Sequence, residues 1–368
     1  MQVNGEQYRT IWLNEDGWSI SVIDQAQLPH HFKLARLTTL AGAVKAIGDM
    51  TVRGAPLIGA TAAYGICLAI HADASLDCLI HAATELKAAR PTAVNLQRVV
   101  DDLAGLLKVL PESERCSAAY SYAAELCDED IDNCYHIGTH GAAIIKDLWE
   151  NTKIQGQRRL NILTHCNAGW LATVDWGTAL APVYLAHNNG IPIHVWVDET
   201  RPRNQGAHLT AWELAQQGIP HTVIVDNAGG HLMQHGEVDL CIVGTDRTTR
   251  SGDVCNKIGT YLKALAAHDN DVPFYAAVPE SSIDWQISDG VSQIPIEQRD
   301  AREVSHILGQ NEQGDVHEVS ILGSDSAISN YGFDVTPSRL VTGLITERGL
   351  CEASAYGLQS LFPERFND

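Results

Sequence analysis

The sequence predicts an α/β chain with a helical N-terminal domain, carrying a small β ribbon, followed by a Rossmann-like parallel-sheet C-terminal domain. Three observations carry this. The chain has 368 residues, which at roughly 100–200 residues per domain suggests two domains. Up to about residue 150, apolar residues recur at spacings of three and four, as on one face of a helix. From about residue 158, short β-rich runs alternate with helical segments, and that alternation builds a parallel sheet covered on both faces.

The first domain is expected over 1–155. Tyr8 to Ile23 alternates like a small antiparallel ribbon. Helices are expected at His31–Met50, Leu57–Ala72, Leu76–Ala89, Ala93–Val109 and Glu112–Cys127. Pro91 ends one of them and Thr92 is placed to cap the next. The uncharged stretch Ala55 to Ile70 falls short of the roughly 20 residues of a spanning helix and reads as a helix buried among helices. The second domain is expected over 156–368, after the polar stretch Glu150 to Arg159. Its strands are expected at Leu160–His165, Ile193–Asp198, Thr222–Val225, Leu240–Gly244 and Phe274–Val278. Helices fall between them at Thr178–Asn188, Ala207–Gln217, Gly229–His235 and Lys257–Ala267. The tail from Val335 onward shows no clear rhythm, although Gly343 to Gly349 has the composition to lie on the sheet or at a dimer contact.

Charge narrows the partners. With 25 Lys+Arg against 45 Asp+Glu, the net charge is −20. Such a surface repels nucleic-acid backbones and anionic membranes. A bound anion therefore needs a local pocket that gathers a few scarce cations. The N-terminus lacks a basic-then-apolar signal pattern, and the nine cysteines are odd in number and show no CxxC pair. A reducing cytoplasm fits them better than a disulfide framework or a zinc site. The sixteen histidines lack ligand spacing: His30 and His31 are adjacent, and Gly138 weakens the helix that would pair His136 with His140. No metal is expected. No P-loop, GxGxxG, HExxH or GxSxG appears, so no cofactor is expected either.

In an open parallel sheet, ligands bind beyond the carboxyl ends of the strands. That rule selects His165-Cys166-Asn167-Ala168-Gly169, Glu199-Thr200-Arg201-Pro202, Asp226-Asn227 and Thr245-Asp246-Arg247. Cys166 is either an inert buried thiol or a reactive one, its thiolate favoured by a nearby helix N-terminus. Asp246 is either a cap or a partner of Arg247, or a general acid whose pKa is raised by an apolar pocket. Arg53-Gly54-Ala55-Pro56 opens a helix, where backbone N–H groups and a guanidinium can hold a phosphate. Arg90 and Lys257 are further isolated cations, each also readable as a solvated surface charge.

Eight segments together resemble the methylthioribose-1-phosphate isomerase family, which is related to regulatory subunits of the eukaryotic translation-initiation guanine-nucleotide exchange factor. They are RGAPLIG (53–59), RPTAVNL (90–96), THCNAG (164–169), GTALAPV (177–183), DETRP (198–202), QGAHLTAWEL (205–214), GTDR (244–247) and GDVCNKIGTY (252–261). The resemblance implies a homodimer and an aldose–ketose isomerisation of 5-methylthioribose 1-phosphate, a step of methionine salvage. It implies Arg53, Gly54, Ala55, Arg90, Gln205, Asn256 and Lys257 as substrate contacts, Asp246 as proton donor and Cys166 as its partner at the reacting carbons. Trp170, Asp175-Trp176, Arg203-Asn204, His208 and GTDR in place of GADR depart from the family pattern. They leave the C5 substituent open, so 5-deoxyribose 1-phosphate and ribose 1,5-bisphosphate stand as alternatives, with Arg203 as the candidate second cation for the latter. A non-catalytic regulatory subunit is the alternative from another class.

Overall fold

The computed structural model describes residues 1–90, 93–154, 156, 158–323 and 326–366. The chain divides into two compact units, Met1–His136 with Ala168–Ala181, and Ile137–Asn167 with Pro182–Asp368.

In the first unit, strands Ile11–Leu13, Ile20–Ile23 and Leu34–Leu37 form an antiparallel sheet. Ile11, Ile20 and Val22 turn inward and are buried. The expected helix His31–Met50 is therefore a strand, Leu34–Leu37, followed by a shorter helix. The free edge of Ile20–Ile23 pairs with 34–37, and that tertiary partner overrides a spacing that also suits a helix. The helix proper, Leu40–Gly48, starts where Thr39 Oγ1 accepts the Gly42 N–H.

The helix Ala55–Ala72 is the core of this unit. It is long and apolar enough to cross a membrane by length and composition. Here every residue from Leu57 to Ile70 is buried, as befits a helix apolar all round and packed on every side. Helices Leu40–Gly48, Leu76–Ala89 and Val94–Lys108 surround it. Gly65 permits their close approach, since a Cβ there would lie 2.9 Å from Leu86 Cδ2 and 3.1 Å from Ala43 Cβ. Pro91 and the expected cap Thr92 lie outside the described residues. Val94–Lys108 begins after Ala93 with no side-chain cap bond. The next helix runs from Glu112 to Ile154, not to Cys127, and passes through Gly138. One helical glycine costs only about 1 kcal/mol, which 43 residues of continuous hydrogen bonding absorb.

The second unit holds a seven-stranded sheet. Its spatial order is Gly349–Cys351, Gly343–Thr346, Phe274–Ala277, Leu240–Val243, Leu160–Thr164, Ile193–Asp198, His221–Ile224. All pairs are parallel except the edge pair Gly343–Thr346 with Gly349–Cys351. Every residue of its central strands Leu160–Thr164 and Leu240–Val243 is buried, because both faces are covered. From Leu160–Thr164 the chain adds strands on one side, then returns to add Leu240–Val243 and its successors on the other. The strand order thus reverses between Leu160–Thr164 and Leu240–Val243.

Several elements lie where the sequence showed nothing or something else. Gly343–Thr346 enters the sheet itself. Arg247–Thr249, Val254–Lys257, Ile283–Asp284 and Phe333–Thr336 form a separate four-stranded sheet. Lys257 therefore ends a strand rather than opening a helix, and the helix starts at Thr260 after Gly259 with φ +105°. Residues expected as one helix, Ala207–Gln217, form a π-helical turn Gly206–Thr210 followed by the helix Ala211–Gln216.

Candidate active site

The reversal of strand order leaves a crevice at the carboxyl ends of its two flanking strands. Cys166 follows one of these strands and Asp246 the other. In sequence they are far apart; the pairings Ile162 with Leu240 and Leu163 with Cys241 bring their strands side by side.

Cys166 is buried, 7% exposed, with a left-handed backbone at φ +66°. After Thr164 the chain turns irregularly, and Cys166 itself lies outside helix and strand. Hydrogen bonds hold its backbone instead. Its N–H donates to Thr200 Oγ1 at 2.8 Å, and its carbonyl accepts from Thr210 Oγ1 at 2.7 Å. Next to it, Asn167 Nδ2 donates to Glu213 Oε1 at 3.0 Å, and Tyr184 donates its hydroxyl to Glu213 Oε2 at 2.6 Å.

His165 links this loop to the rest of the rim. Its Nδ1 lies 2.8 Å from Asp198 Oδ2 and its Nε2 2.8 Å from Ile258 O. Gly259 packs on the ring so closely that a Cβ would lie 2.9 Å from it. Segment 255–258 also receives Asp246, whose N–H donates to Cys255 O at 3.0 Å. The same short stretch thus touches the neighbour of Cys166 at one end and Asp246 at the other. Arg247 is turned to Asp284, 3.8 Å away. Burial, followed by the charge of Asp246, pushes the Cys255 thiol up to about 12.

Asn256 is buried, with Nδ2 on Thr260 Oγ1 at 3.0 Å. Lys257 is buried too; its ammonium donates to Gly332 O at 2.8 Å and lies 5.0 Å from the Phe333 ring centroid. Gln205 is 7% exposed, and its Oε1 has no donor among the described residues, an acceptor suited to a ligand hydroxyl. Gly206 after it is required sterically: a Cβ would fall 1.7 Å from Asp198 O.

Among the described residues, His165, Asp198 and Asp226 gather three potential ligand atoms within 4.8 Å of one another. That cluster carries its own cation. The Lys263 ammonium lies 3.1 Å from Asp198 Oδ2 and also donates to Asp226 O.

Arg53, Gly54, Ala55 and Arg90 belong to the first unit. Gly54 is the N-cap of Ala55–Ala72, with φ +96°, so the cap residue offers no side chain to the first N–H groups of that helix. A Cβ on Gly54 would sit 2.2 Å from Ala172 O, a packing reason for glycine independent of any ligand. Arg90 is the C-cap of Leu76–Ala89. Arg203, the candidate second phosphate contact, has its Nη1 3.2 Å from Glu303 Oε1. Sequence reasoning placed Thr200 and His165 on the rim but assigned them no part. A hydroxyl and an imidazole at adjacent strand ends were the available signal.

A thiol and a carboxyl flanking the switch point of a parallel-rich sheet define an α/β protein built to work on a small molecule. The family model for the initiation factor 2 subunit family matches residues 51–353. A methylthioribose-1-phosphate isomerase of Paramagnetospirillum magneticum is 63% identical over 365 residues, covering 99% of this chain and all of that one. Among solved structures, 5-methylthioribose 1-phosphate isomerase from Pyrococcus horikoshii OT3 superposes with TM-score 0.84 at 36% identity, over 98% of this chain and 97% of that one. The translation initiation factor eIF-2B subunit delta from A. fulgidus gives 0.79 at 34%, over 98% and 100%. The chain belongs to the initiation factor 2 subunit family, on the branch of the methylthioribose-1-phosphate isomerases.

Proposed function

We propose that this chain isomerises 5-methylthioribose 1-phosphate to 5-methylthioribulose 1-phosphate, a step of methionine salvage. The observation that carries the reading is the placement of Cys166 and Asp246 after the two strands that flank the switch point.

A sugar phosphorylated at C1 cannot open to a free aldehyde, because its anomeric oxygen is blocked. The bond from C1 to the ring oxygen must break with the phosphate in place. Asp246, as a protonated carboxyl, gives the ring oxygen its proton. Cys166, as base, removes the proton on C2, and the electron pair forms the C1–C2 double bond of an enol phosphate. Asp246, now a carboxylate, takes the proton of the C2 hydroxyl as that carbon becomes a ketone, and Cys166 returns a proton to C1. Asp246 is half-buried and follows the apolar strand Leu240–Val243.

Lys257, Asn256 and Gln205 are the substrate contacts of the second unit in this reading. Resemblance assigns Arg53, Gly54, Ala55 and Arg90 to substrate binding as well. Arg203 argues against a second phosphate on the substrate. It faces Glu303, and although burial pushes that carboxyl up, the hydrogen bonds and charge of Arg299, with Arg203, hold it down at about 2. A carboxylate committed there repels a C5 phosphate.

The test is turnover of a panel of pentose 1-phosphates in D2O, followed by NMR. The 5-methylthio sugar should give the highest kcat/KM and carry deuterium at C1. A preference for ribose 1,5-bisphosphate would overturn the substrate assignment, and full retention of the C2 hydrogen would overturn the proton relay. The assembled form in this reading is a cytoplasmic homodimer. Sedimentation should give twice the 40.0 kDa chain mass; the mass of one chain would contradict it.

A further inference from the structure

We propose that Thr200 is a positioning residue for Cys166, acting through its hydroxyl on the cysteine's backbone N–H. The inference rests on Cys166 being the reacting thiol. Two non-glycine residues at adjacent strand ends both adopt left-handed backbones, Cys166 at φ +66° and Thr200 at φ +65°. The conformation is uncommon for any side chain and an outlier for a β-branched one. Such outliers persist only where the surroundings over-determine them, and here they do. Both carboxylate oxygens of Asp226 accept from this turn, Oδ1 from the Thr200 N–H at 2.7 Å and Oδ2 from the Arg201 N–H at 2.8 Å. Lys263 bridges Asp226 O to Asp198 Oδ2.

The hydroxyl is aimed as well as held. Thr200 Oγ1 donates its single proton to Asp198 O at 3.0 Å, so a lone pair is left to accept the Cys166 N–H at 2.8 Å. Thr200 is fully buried, so water does not compete for that bond. On the other side of the residue, Thr210 Oγ1 holds the Cys166 carbonyl. The peptide groups flanking Cys166 are thus pinned by two threonine hydroxyls, which fixes the direction in which its Cα–Cβ bond leaves the loop. The proton transfers require that direction; substrate affinity does not.

The test compares Thr200→Val, which keeps the shape and loses the hydroxyl, with Thr200→Ser, which keeps the hydroxyl. Two quantities are read: kcat and KM, and the rate at which iodoacetamide alkylates Cys166, followed by peptide mass spectrometry. Misplacing a reacting group by about 1 Å costs on the order of 100-fold. Thr200→Val should therefore lose about 30–100-fold in kcat with KM little changed, and its Cys166 alkylation rate should shift. Thr200→Ser should restore both. Wild-type kcat and alkylation in Thr200→Val would overturn the proposal, as would an equal loss in Thr200→Ser, which would mark a role in shape alone. If Thr200→Val does not fold, Asp226→Asn carries the test. It weakens the clamp on Thr200 and should lower kcat by about tenfold with the same alkylation shift; an unchanged enzyme would overturn the proposal. A fully active Cys166→Ser would instead sink the assigned reaction, while the alkylation readout would still report on the Thr200 contact.

Discussion

Nine thiols are equivalent in composition, and their surroundings separate them. Burial pushes the thiols of Cys127 and Cys255 up to about 12 and that of Cys351 to about 11. Those are packing residues. Cys166 differs in its backbone, which is left-handed and bonded on both sides to threonine hydroxyls. Carboxyls separate in the same way. Asp130, in the first unit, turns its carboxyl onto the Val174 N–H at 2.7 Å, and burial raises it to about 7, with Asp175 adding to the rise. Its folded value lies above that of the unfolded chain. The folded state therefore holds the extra proton between about pH 4 and pH 7, and this contribution to stability falls as pH rises through that window. Asp130→Asn keeps an acceptor for Val174 and removes the titration. Its melting temperature should approach that of the wild type near about pH 4 and exceed it increasingly toward about pH 7. Parallel curves for the two proteins would contradict the buried, protonated carboxyl.

Elements fail to follow the sequence pattern where a partner distant in the chain decides. Strands Leu160–Thr164, Ile193–Asp198 and Leu240–Val243 were legible because each is a short, mostly apolar run followed by polar residues, and those residues are the rim of the candidate site. Leu34–Leu37 was not, since its spacing suits a helix and only the edge of Ile20–Ile23 makes it a strand. Val254–Lys257 was hidden for a similar reason: its partner Arg247–Thr249 is a short polar strand, and its other partner Phe333–Thr336 lies far on in the chain. The π-helical turn Gly206–Thr210 reads as ordinary helix, yet it brings Gly206 against Asp198 O and Thr210 against Cys166 O. π-turns inside helices often mark functional sites. Gly206→Ala should therefore be damaging, because its Cβ would collide with a backbone atom that cannot move aside. We expect soluble protein with at least tenfold lower kcat, or loss of fold, read by activity and circular dichroism. Wild-type activity and melting would show that the turn has room to relax.

At the scale of the whole molecule, the net charge of −20 spends few cations on anion binding. Arg203, Arg299, Arg302, Arg348 and Arg365 all face glutamates. Lys263 is buried against Asp198. Lys257 donates to Gly332 O and lies over the Phe333 ring. The candidate site was legible in outline because polar residues at strand ends are placed by the sheet, whose order follows from connection rules. The supporting contacts from Thr200, Thr210 and His165 were not, since hydroxyls and imidazoles at strand ends are as often mere caps. The central claim is that Asp246 and Cys166 together turn a C1-phosphorylated sugar into a ketose. Its most direct test is the carbonyl signal in the 13C spectrum of 5-methylthioribose 1-phosphate incubated with the wild type, Cys166→Ser and Asp246→Asn, each shown to be folded. The ketone carbonyl should appear with the wild type and be lost or slowed by at least about 100-fold in both variants. A ketone formed at the wild-type rate by either variant would contradict the assignment.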